Sequence, residues 1–174
     1  MKKLEISPKY YLIAGVIFAG AAMRLIPHWP NFTPIAAMAL VGGTFLKRKD
    51  LAFLIPIGSM LLSDLVLGFH STVLPVYLSF VAIVAMGFVL KNRLNVVNLA
   101  SASLASSVIF YLVTNFACWT TGVAIYSRDI SGLMQSYIAG IPFFFNGILG
   151  DLFYNSLFFG SIYLVTSKIT SAVK

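Results

Sequence analysis

Charge and cysteine are scarce in this chain. Of its 174 residues only 10% are charged, and one is a cysteine. A single cysteine excludes an intrachain disulfide and a CxxC metal site. Hydrophobic residues make up 59% of the chain and the mean hydropathy is +0.92, more than a soluble core of this size can bury. The composition therefore excludes a soluble enzyme, a disordered tail and a disulfide-rich secreted module, and it indicates a chain built for lipid.

Familiar catalytic motifs are also missing. The sequence contains no Walker-type glycine loop, no nucleotide-binding fingerprint and no HExxH. His28 and His70 have no carboxylate close by in sequence, so neither a metal nor a cofactor is predicted. A membrane enzyme that uses Asp64 or Asp151 as an acid or base lacks a second catalytic partner. We therefore expect a protein that is not an enzyme and has no energy-transducing site of its own.

Six stretches of the chain are free of charge or nearly so, and each is expected to form a helix. They cover roughly residues 10–23, 34–46, 51–69, 73–90, 96–119 and 133–166. Because a bilayer core of about 30 Å needs about 20 helical residues, the second stretch predicts a short or tilted helix whose ends are buried by neighbours. The last is too long for one untilted span and predicts an interfacial turn before Pro142. The sequence thus indicates an all-α integral membrane protein, a compact bundle of six transmembrane helices in one domain, residues 1–174.

The positions of the charges predict an orientation. With six spans, every basic residue except Arg24 and Arg128 lies on the side of the two termini. The positive-inside rule then places both termini in the cytoplasm, with the chain in a bacterial inner membrane. The net charge of +7 is explained by orientation anchors and lipid headgroups, so nucleic acid is not expected as a partner. An alternative is that the N-terminus, up to Ala19-Gly20-Ala21, is a signal peptide.

A weak internal similarity relates the two halves of the chain. Asn31-Phe32 resembles Asn115-Phe116, and Ser63-Asp64-Leu65 resembles Gly150-Asp151-Leu152. Three spans in each half would give the inverted repeats that many transporters use. Chance similarity between two apolar helices explains the match equally well.

Polar and aromatic residues collect on the side opposite the termini, where they predict a binding site for a small molecule. Charged groups inside a membrane usually face protein or a water-filled cavity, and Arg24 is the natural counter-ion for Asp64. A purely structural clamp between these two residues, and an interfacial aromatic belt, are the alternatives. Asp151 is interpreted as a coupling or structural carboxylate. The predicted solute-binding residues are Arg24, His28, Trp29, Asn31, Asp64, His70, Asn115, Trp119 and Asn146.

Several segments resemble an uncharacterised bacterial family of small integral membrane proteins. They are Arg24-Leu-Ile-Pro-His-Trp-Pro-Asn-Phe-Thr-Pro, Ser63-Asp-Leu-Val-Leu-Gly-Phe-His70, Thr114-Asn-Phe, and Pro142-Phe-Phe-Phe-Asn with Gly150-Asp-Leu. That family is similar in size and span count to the substrate-binding S components of energy-coupling-factor vitamin transporters. The resemblance implies six helices that hold a vitamin near the extracytoplasmic face, and a separate transmembrane subunit with ATPases that drives uptake. S components dock that subunit through an Ala-xxx-Ala pattern on the first helix. The closest match here is Gly15-xxx-Ala19.

Two functions follow from these observations. The first is a membrane uptake protein that binds a small solute, of the vitamin or vitamin-precursor class, from the extracytoplasmic side. The second is a non-transporting accessory subunit that sits against a larger membrane complex through its small residues. The accessory subunit predicts a stable partner and no cavity on the extracytoplasmic side.

Overall fold

The computed structural model describes residues 8–69, 71–121 and 126–172, and this part of the chain forms six helices without a strand. The helices are α1 (Pro8–Met23), α2 (Ile35–Phe45), α3 (Lys49–Leu67), α4 (Val73–Leu90), α5 (Val96–Thr121) and α6 (Ile130–Ala172). Four of them, α3 to α6, are long and apolar enough to cross a membrane. The predicted all-α fold and the six helices are confirmed, and the apolar helices indicate a membrane protein.

The short helix α2 lies at the centre of the bundle. Every residue from Ile35 to Thr44 is buried, and all five other helices pack against it. Its sequence has no polar face, as expected of a helix that is surrounded by protein. The predicted short helix with buried ends is confirmed.

Glycines allow α2 and α4 to cross at backbone contact. A Cβ atom on Gly43 would lie 2.1 Å from the carbonyl oxygen of Val84 and 2.9 Å from the Cα of Gly87. At the same crossing the Thr44 hydroxyl donates a hydrogen bond of 3.2 Å to the carbonyl of Gly87. Close approach through small residues, with a hydroxyl bonded across, is a common way to join helices in membranes.

Gly43→Ala is therefore expected to destabilise the protein by more than about 1 kcal/mol, because an added methyl group must push the two backbones apart. Gly58→Ala in α3 is the control, since its Cβ meets nothing within 4 Å and alanine is the better helix former. The free energy of unfolding in detergent is the measurement. Equal stability of the two variants would contradict the close crossing.

Helix α6 differs from the prediction. It is one continuous helix of 43 residues that contains Pro142, about 64 Å long at 1.5 Å per residue. The predicted turn before Pro142 is wrong. Proline removes one backbone hydrogen bond, but neighbouring helices can brace a membrane helix at such a point. Here α5 lies alongside, and the Tyr111 hydroxyl donates a hydrogen bond of 2.7 Å to the carbonyl of Tyr137.

Helix α1 has two different faces. Gly20 and Ala21 are buried, and a Cβ on Gly20 would lie 2.7 Å from the Met38 Cγ and 3.0 Å from the Phe158 Cζ. Gly15 and Ala19, the predicted docking residues, are exposed, and a Cβ on Gly15 would meet nothing within 4 Å. The small residues on this second face are thus not used for packing among the described residues.

The two ends of the bundle differ in charge. The α1–α2 connection, Thr72 before α4 and Tyr126 before α6 lie around one cavity, and we call this end of the bundle the cavity end. The opposite basic end has exposed Lys47, Arg48, Lys49, Lys91 and Arg93. The two halves of the chain, α1 to α3 and α4 to α6, also differ in helix length. Helix α2 has 11 residues, whereas α5, the middle helix of the second half, has 26.

Candidate functional site

A cavity of about 450 Å³ opens at the cavity end of the bundle. It lies between the α1–α2 connection and helices α4, α5 and α6. Its polar lining residues are Arg24, His28, Asn31, Thr33, Thr72, Thr114, Asn115, Tyr126 and Ser136, with Cys118 beside them. Phe110 and Phe143 supply aromatic surface. The cavity therefore combines flat apolar walls with several hydrogen-bonding groups, as small-molecule sites do.

The α1–α2 connection is held in a fixed path over this cavity. Asn31 has a φ of 63°, in the left-handed region that asparagine tolerates better than most residues. The Thr33 amide donates a hydrogen bond of 3.0 Å to the Asn31 carbonyl. The Asn146 side chain on α6 donates one of 3.1 Å to the carbonyl of Pro30. These bonds place Asn31 and Thr33 in the cavity wall.

Arg24 enters the cavity wall with its charge already compensated. Its Nη2 lies 2.9 Å from Oδ1 of Asp64, and the two side chains are 11% and 3% exposed. Its Nη1 also donates to the Ser63 hydroxyl, while the Tyr77 hydroxyl donates a hydrogen bond of 2.9 Å to Oδ2 of Asp64. The predicted ion pair is confirmed. Arg24 therefore offers the cavity hydrogen-bond donors without a net positive charge.

Asn115 is positioned where α5 crosses α6. Its Nδ2 donates a hydrogen bond of 2.8 Å to the carbonyl of Tyr111. The main-chain carbonyl of Asn115 accepts one of 2.7 Å from the Ser136 hydroxyl. Gly140 faces it so closely that a Cβ there would lie 2.4 Å from the Asn115 Oδ1. The absence of a side chain at Gly140 thus makes room for the Asn115 amide.

A narrow cleft of about 30 Å³ continues from the cavity into the bundle. Asn31, Thr33 and Asn115 line both spaces, and Ser107 and Asp151 lie in the wall of the cleft. The Ser107 hydroxyl donates to Oδ2 of Asp151. The cleft and the cavity thus share part of their walls, and a carboxylate in the middle of α6 lies in the wall of the cleft.

Hydrogen bonds join the ends of α5 and α6 beside the cavity. The Trp119 Nε1 donates a bond of 2.9 Å to the carbonyl of Ser127, and Arg128 donates one of 2.6 Å to the carbonyl of Thr120. Asp129 caps α6 by accepting bonds from the Ser127 hydroxyl at 2.7 Å and the Gly132 amide at 2.8 Å. These two hydrogen bonds lower the pKa of the Asp129 carboxyl below its ordinary value.

The predicted site residues fall into three groups. Arg24, His28, Asn31 and Asn115 line the cavity, and Asp64 acts on it through Arg24. Trp29, Trp119 and Asn146 do not line it. His70 lies outside the described residues.

Each residue outside the cavity wall has another role. Trp29 is 68% exposed and packs edge-on against Phe32, with ring centroids 6.1 Å apart. Trp119 joins α5 to the connection that precedes α6, and Asn146 holds the α1–α2 connection. These three side chains therefore support the shape of the cavity end. The sequence predicts instead that they contact the solute directly.

The predicted site residues do not include the hydroxyl groups of α5 that bond to α6. Ser107 donates a hydrogen bond to Asp151, and Ser103 accepts one of 3.0 Å from Asn155. Ser103 and Ser107 are four residues apart on α5, and Asp151 and Asn155 are four residues apart on α6. Each of these two pairs therefore lies on one face of its helix. This matched spacing of polar residues on two apolar helices is the signal that could have identified the contact.

The arrangement at this site is suited to binding. Among the residues that the structure describes, His, Cys, Asp and Glu do not form a group of three able to hold a metal. The cavity presents an ion-paired guanidinium, amides, hydroxyls and aromatic faces, which recognise a solute by hydrogen bonding and stacking.

Comparison with known proteins gives one match. No curated protein and no solved structure is similar to the chain. One family model covers nearly all of it, from residue 4 to residue 172. The chain therefore belongs to the family described as "Family of unknown function (DUF6580)".

Proposed function

We propose that this chain is a membrane uptake protein that binds a small solute, of the vitamin or vitamin-precursor class, in the manner of an S component. The observation that carries the proposal is the cavity. Its volume of about 450 Å³ lies within the range of about 300–1,000 Å³ that is usual for small-molecule sites.

The lining indicates what such a solute looks like. Arg24, Asn31 and Asn115 provide hydrogen-bonding groups on different sides of the cavity, and Phe110 and Phe143 provide aromatic surface. Because Arg24 is neutralised by Asp64, a polar, flat and uncharged or zwitterionic molecule fits better than a strong anion. Vitamins built on a heterocyclic ring have these properties.

The distribution of charge supports a direction for uptake. We propose that α1 and α2 complete a bundle of six spans together with the four long helices, and that the basic end faces the bacterial cytoplasm. The cavity end then faces outward. The solute would enter from the extracytoplasmic side, with both termini in the cytoplasm.

An energy source must come from elsewhere, since the sequence has no nucleotide-binding motif. We propose that the exposed face of α1 with Gly15 and Ala19 docks a transmembrane subunit that carries ATPases. Both residues are exposed in the part of the chain that the structure describes, and small residues permit close helix contact. An accessory subunit would use the same face, but it would leave the polar cavity without a purpose.

A cysteine in the cavity wall makes it possible to measure whether the cavity is occupied. Cys118 is the single cysteine of the chain and lies in the cavity wall, half-buried. In intact cells, we expect a small membrane-impermeant methanethiosulfonate reagent to modify Cys118 from outside. The correct member of a panel of vitamins and their precursors should slow this reaction at least about tenfold, because an occupied cavity excludes the reagent.

Two variants make this experiment decisive. Cys118→Ser removes the signal and gives the background. Leu94→Cys in that background places an exposed thiol at the basic end, and it should react only after the cells are permeabilised. Labelling of position 94 in intact cells, or labelling of Cys118 that no member of the panel slows, would overturn the orientation or the solute site respectively.

A further inference from the structure

Two carboxylates are buried in the part of the chain that the structure describes, and they differ in how their charge is balanced. Asp64 is 2% exposed and pairs with the guanidinium of Arg24. Asp151 is 7% exposed, and the hydrogen bond that the structure gives its carboxylate comes from the neutral hydroxyl of Ser107. A buried negative charge without a cation is costly in a membrane protein and usually marks a functional position.

Asp151 also has space beside it. Its side chain lies in the wall of the cleft of about 30 Å³, and none of the described residues that line this cleft is Lys, Arg or His. A volume of this size holds one small hydrated species. Asn31, Thr33 and Asn115 line both the cleft and the cavity, so the cleft adjoins the space from which an ion would enter.

The residues around the cleft carry the kind of atoms that bind a hard cation. Besides Asp151 they include Ser107 and Thr33, which have hydroxyl oxygens, and Asn31 and Asn115, which have amide oxygens. Hard cations prefer oxygen ligands of this kind. Because one carboxylate carries one charge, a monovalent ion gives a neutral site, which a low-dielectric interior favours.

The polar contacts continue one turn deeper. Asn155 lies four residues after Asp151 and donates a hydrogen bond of 3.0 Å to the hydroxyl of Ser103, four residues before Ser107. The Oδ1 atom of Asn155 is buried and has no hydrogen-bond partner in the part of the chain that the structure describes. An unpaired buried oxygen one helical turn from Asp151 is a further acceptor without a donor in this region.

We propose that Asp151, with the oxygen atoms of the cleft, binds one Na⁺ ion that enters through the cavity. Occupation of the cleft neutralises Asp151 and fixes Asn31 and Asn115, which also line the cavity. Sodium binding and solute binding are thereby coupled. The coupling rests on the proposed function, whereas binding of Na⁺ does not.

The test needs no solute. Thermal unfolding of the purified full chain in detergent is followed by its intrinsic tryptophan fluorescence in mixtures of NaCl and choline chloride at constant ionic strength. The midpoint should rise as Na⁺ replaces choline, because a ligand that binds the folded state stabilises it. Asp151→Asn, which keeps the shape of the side chain, should raise the half-maximal Na⁺ concentration at least about tenfold.

Two further variants cover a failure of Asp151→Asn to fold and a non-specific effect of salt. Ser107→Ala removes one cleft oxygen and should shift the half-maximal Na⁺ concentration upward by about threefold or more. Asp50→Asn changes an exposed carboxylate that is paired with Arg48, and it should leave the Na⁺ response unchanged.

Three results would overturn the sodium site. They are an equal midpoint in NaCl and choline chloride, a wild-type Na⁺ response in Asp151→Asn or Ser107→Ala, and a midpoint that depends on pH but not on Na⁺, which would indicate a proton site. Protection of Cys118 by solute is a separate measurement. Failure of the sodium site and failure of the solute site can therefore be told apart.

Discussion

Arg24→Ala is expected to lower the free energy of unfolding by about 3–5 kcal/mol, because it leaves Asp64 buried without its counter-ion. Asp64 is 2% exposed, so its carboxylate depends on protein groups for compensation of its charge. Ser63 loses a partner as well. Denaturant titration in detergent, with helix content as the signal, measures the change.

A double variant separates the cost of an unpaired charge from the value of the pair. Arg24→Met with Asp64→Leu removes both charges and fills similar volumes, and it should be more stable than Arg24→Ala alone. Replacing buried ion pairs by apolar residues is often neutral or stabilising. If the effects of Arg24→Met alone and Asp64→Leu alone simply add in the double variant, the ion pair is not the source of the instability.

Gly140→Ala is expected to weaken binding of the solute by about 1–3 kcal/mol, roughly fivefold to 150-fold, by displacing a hydrogen-bonding group. A Cβ at position 140 would lie 2.4–2.7 Å from the three outer atoms of the Asn115 side chain. The amide must move, and it can do so because it is the end of a flexible side chain. Stability should therefore change little while affinity falls.

Gly160→Ala is the matched control on the same helix. Its Cβ would meet nothing within 4 Å, so the cavity should keep its affinity. Protection of Cys118 from labelling at graded solute concentrations gives both affinities. Unchanged protection in Gly140→Ala would show that Asn115 takes no part in binding.

The helices were predictable because their signals are local. Runs of apolar residues between charges give the six helices to within a few residues, and the 13-residue stretch 34–46 could only be a short helix enclosed by others. The pairing of Arg24 with Asp64 was also predictable, since an isolated charge in an apolar bundle needs a partner. These inferences follow from composition and spacing, and they do not require knowledge of how helices are arranged.

The remaining features depend on packing between distant segments. The sequence places Trp119 and Asn146 near the cavity end. The hydrogen bond that each of them donates, however, joins segments whose contact is set by tertiary structure. Pro142 lies inside α6, and a hydrogen bond from Tyr111 on α5 joins the two helices shortly before it. The contact of Ser107 with Asp151 needs the register between α5 and α6, which the hydrophobic pattern leaves open because both helices are apolar on most of their surface.

The central position of α2 has a consequence for work on this protein outside its natural membrane. Ile35 and Ala36 belong to the first turn of α2 and also line the cleft beneath the cavity. Acyl chains and detergent tails cannot reach α2, because the outer helices enclose it from Ile35 to Thr44. Differences in bilayer thickness or micelle curvature act on the surrounding helices first. The base of the cavity should thus keep one geometry across lipid and detergent, so affinities measured in either environment can be compared directly.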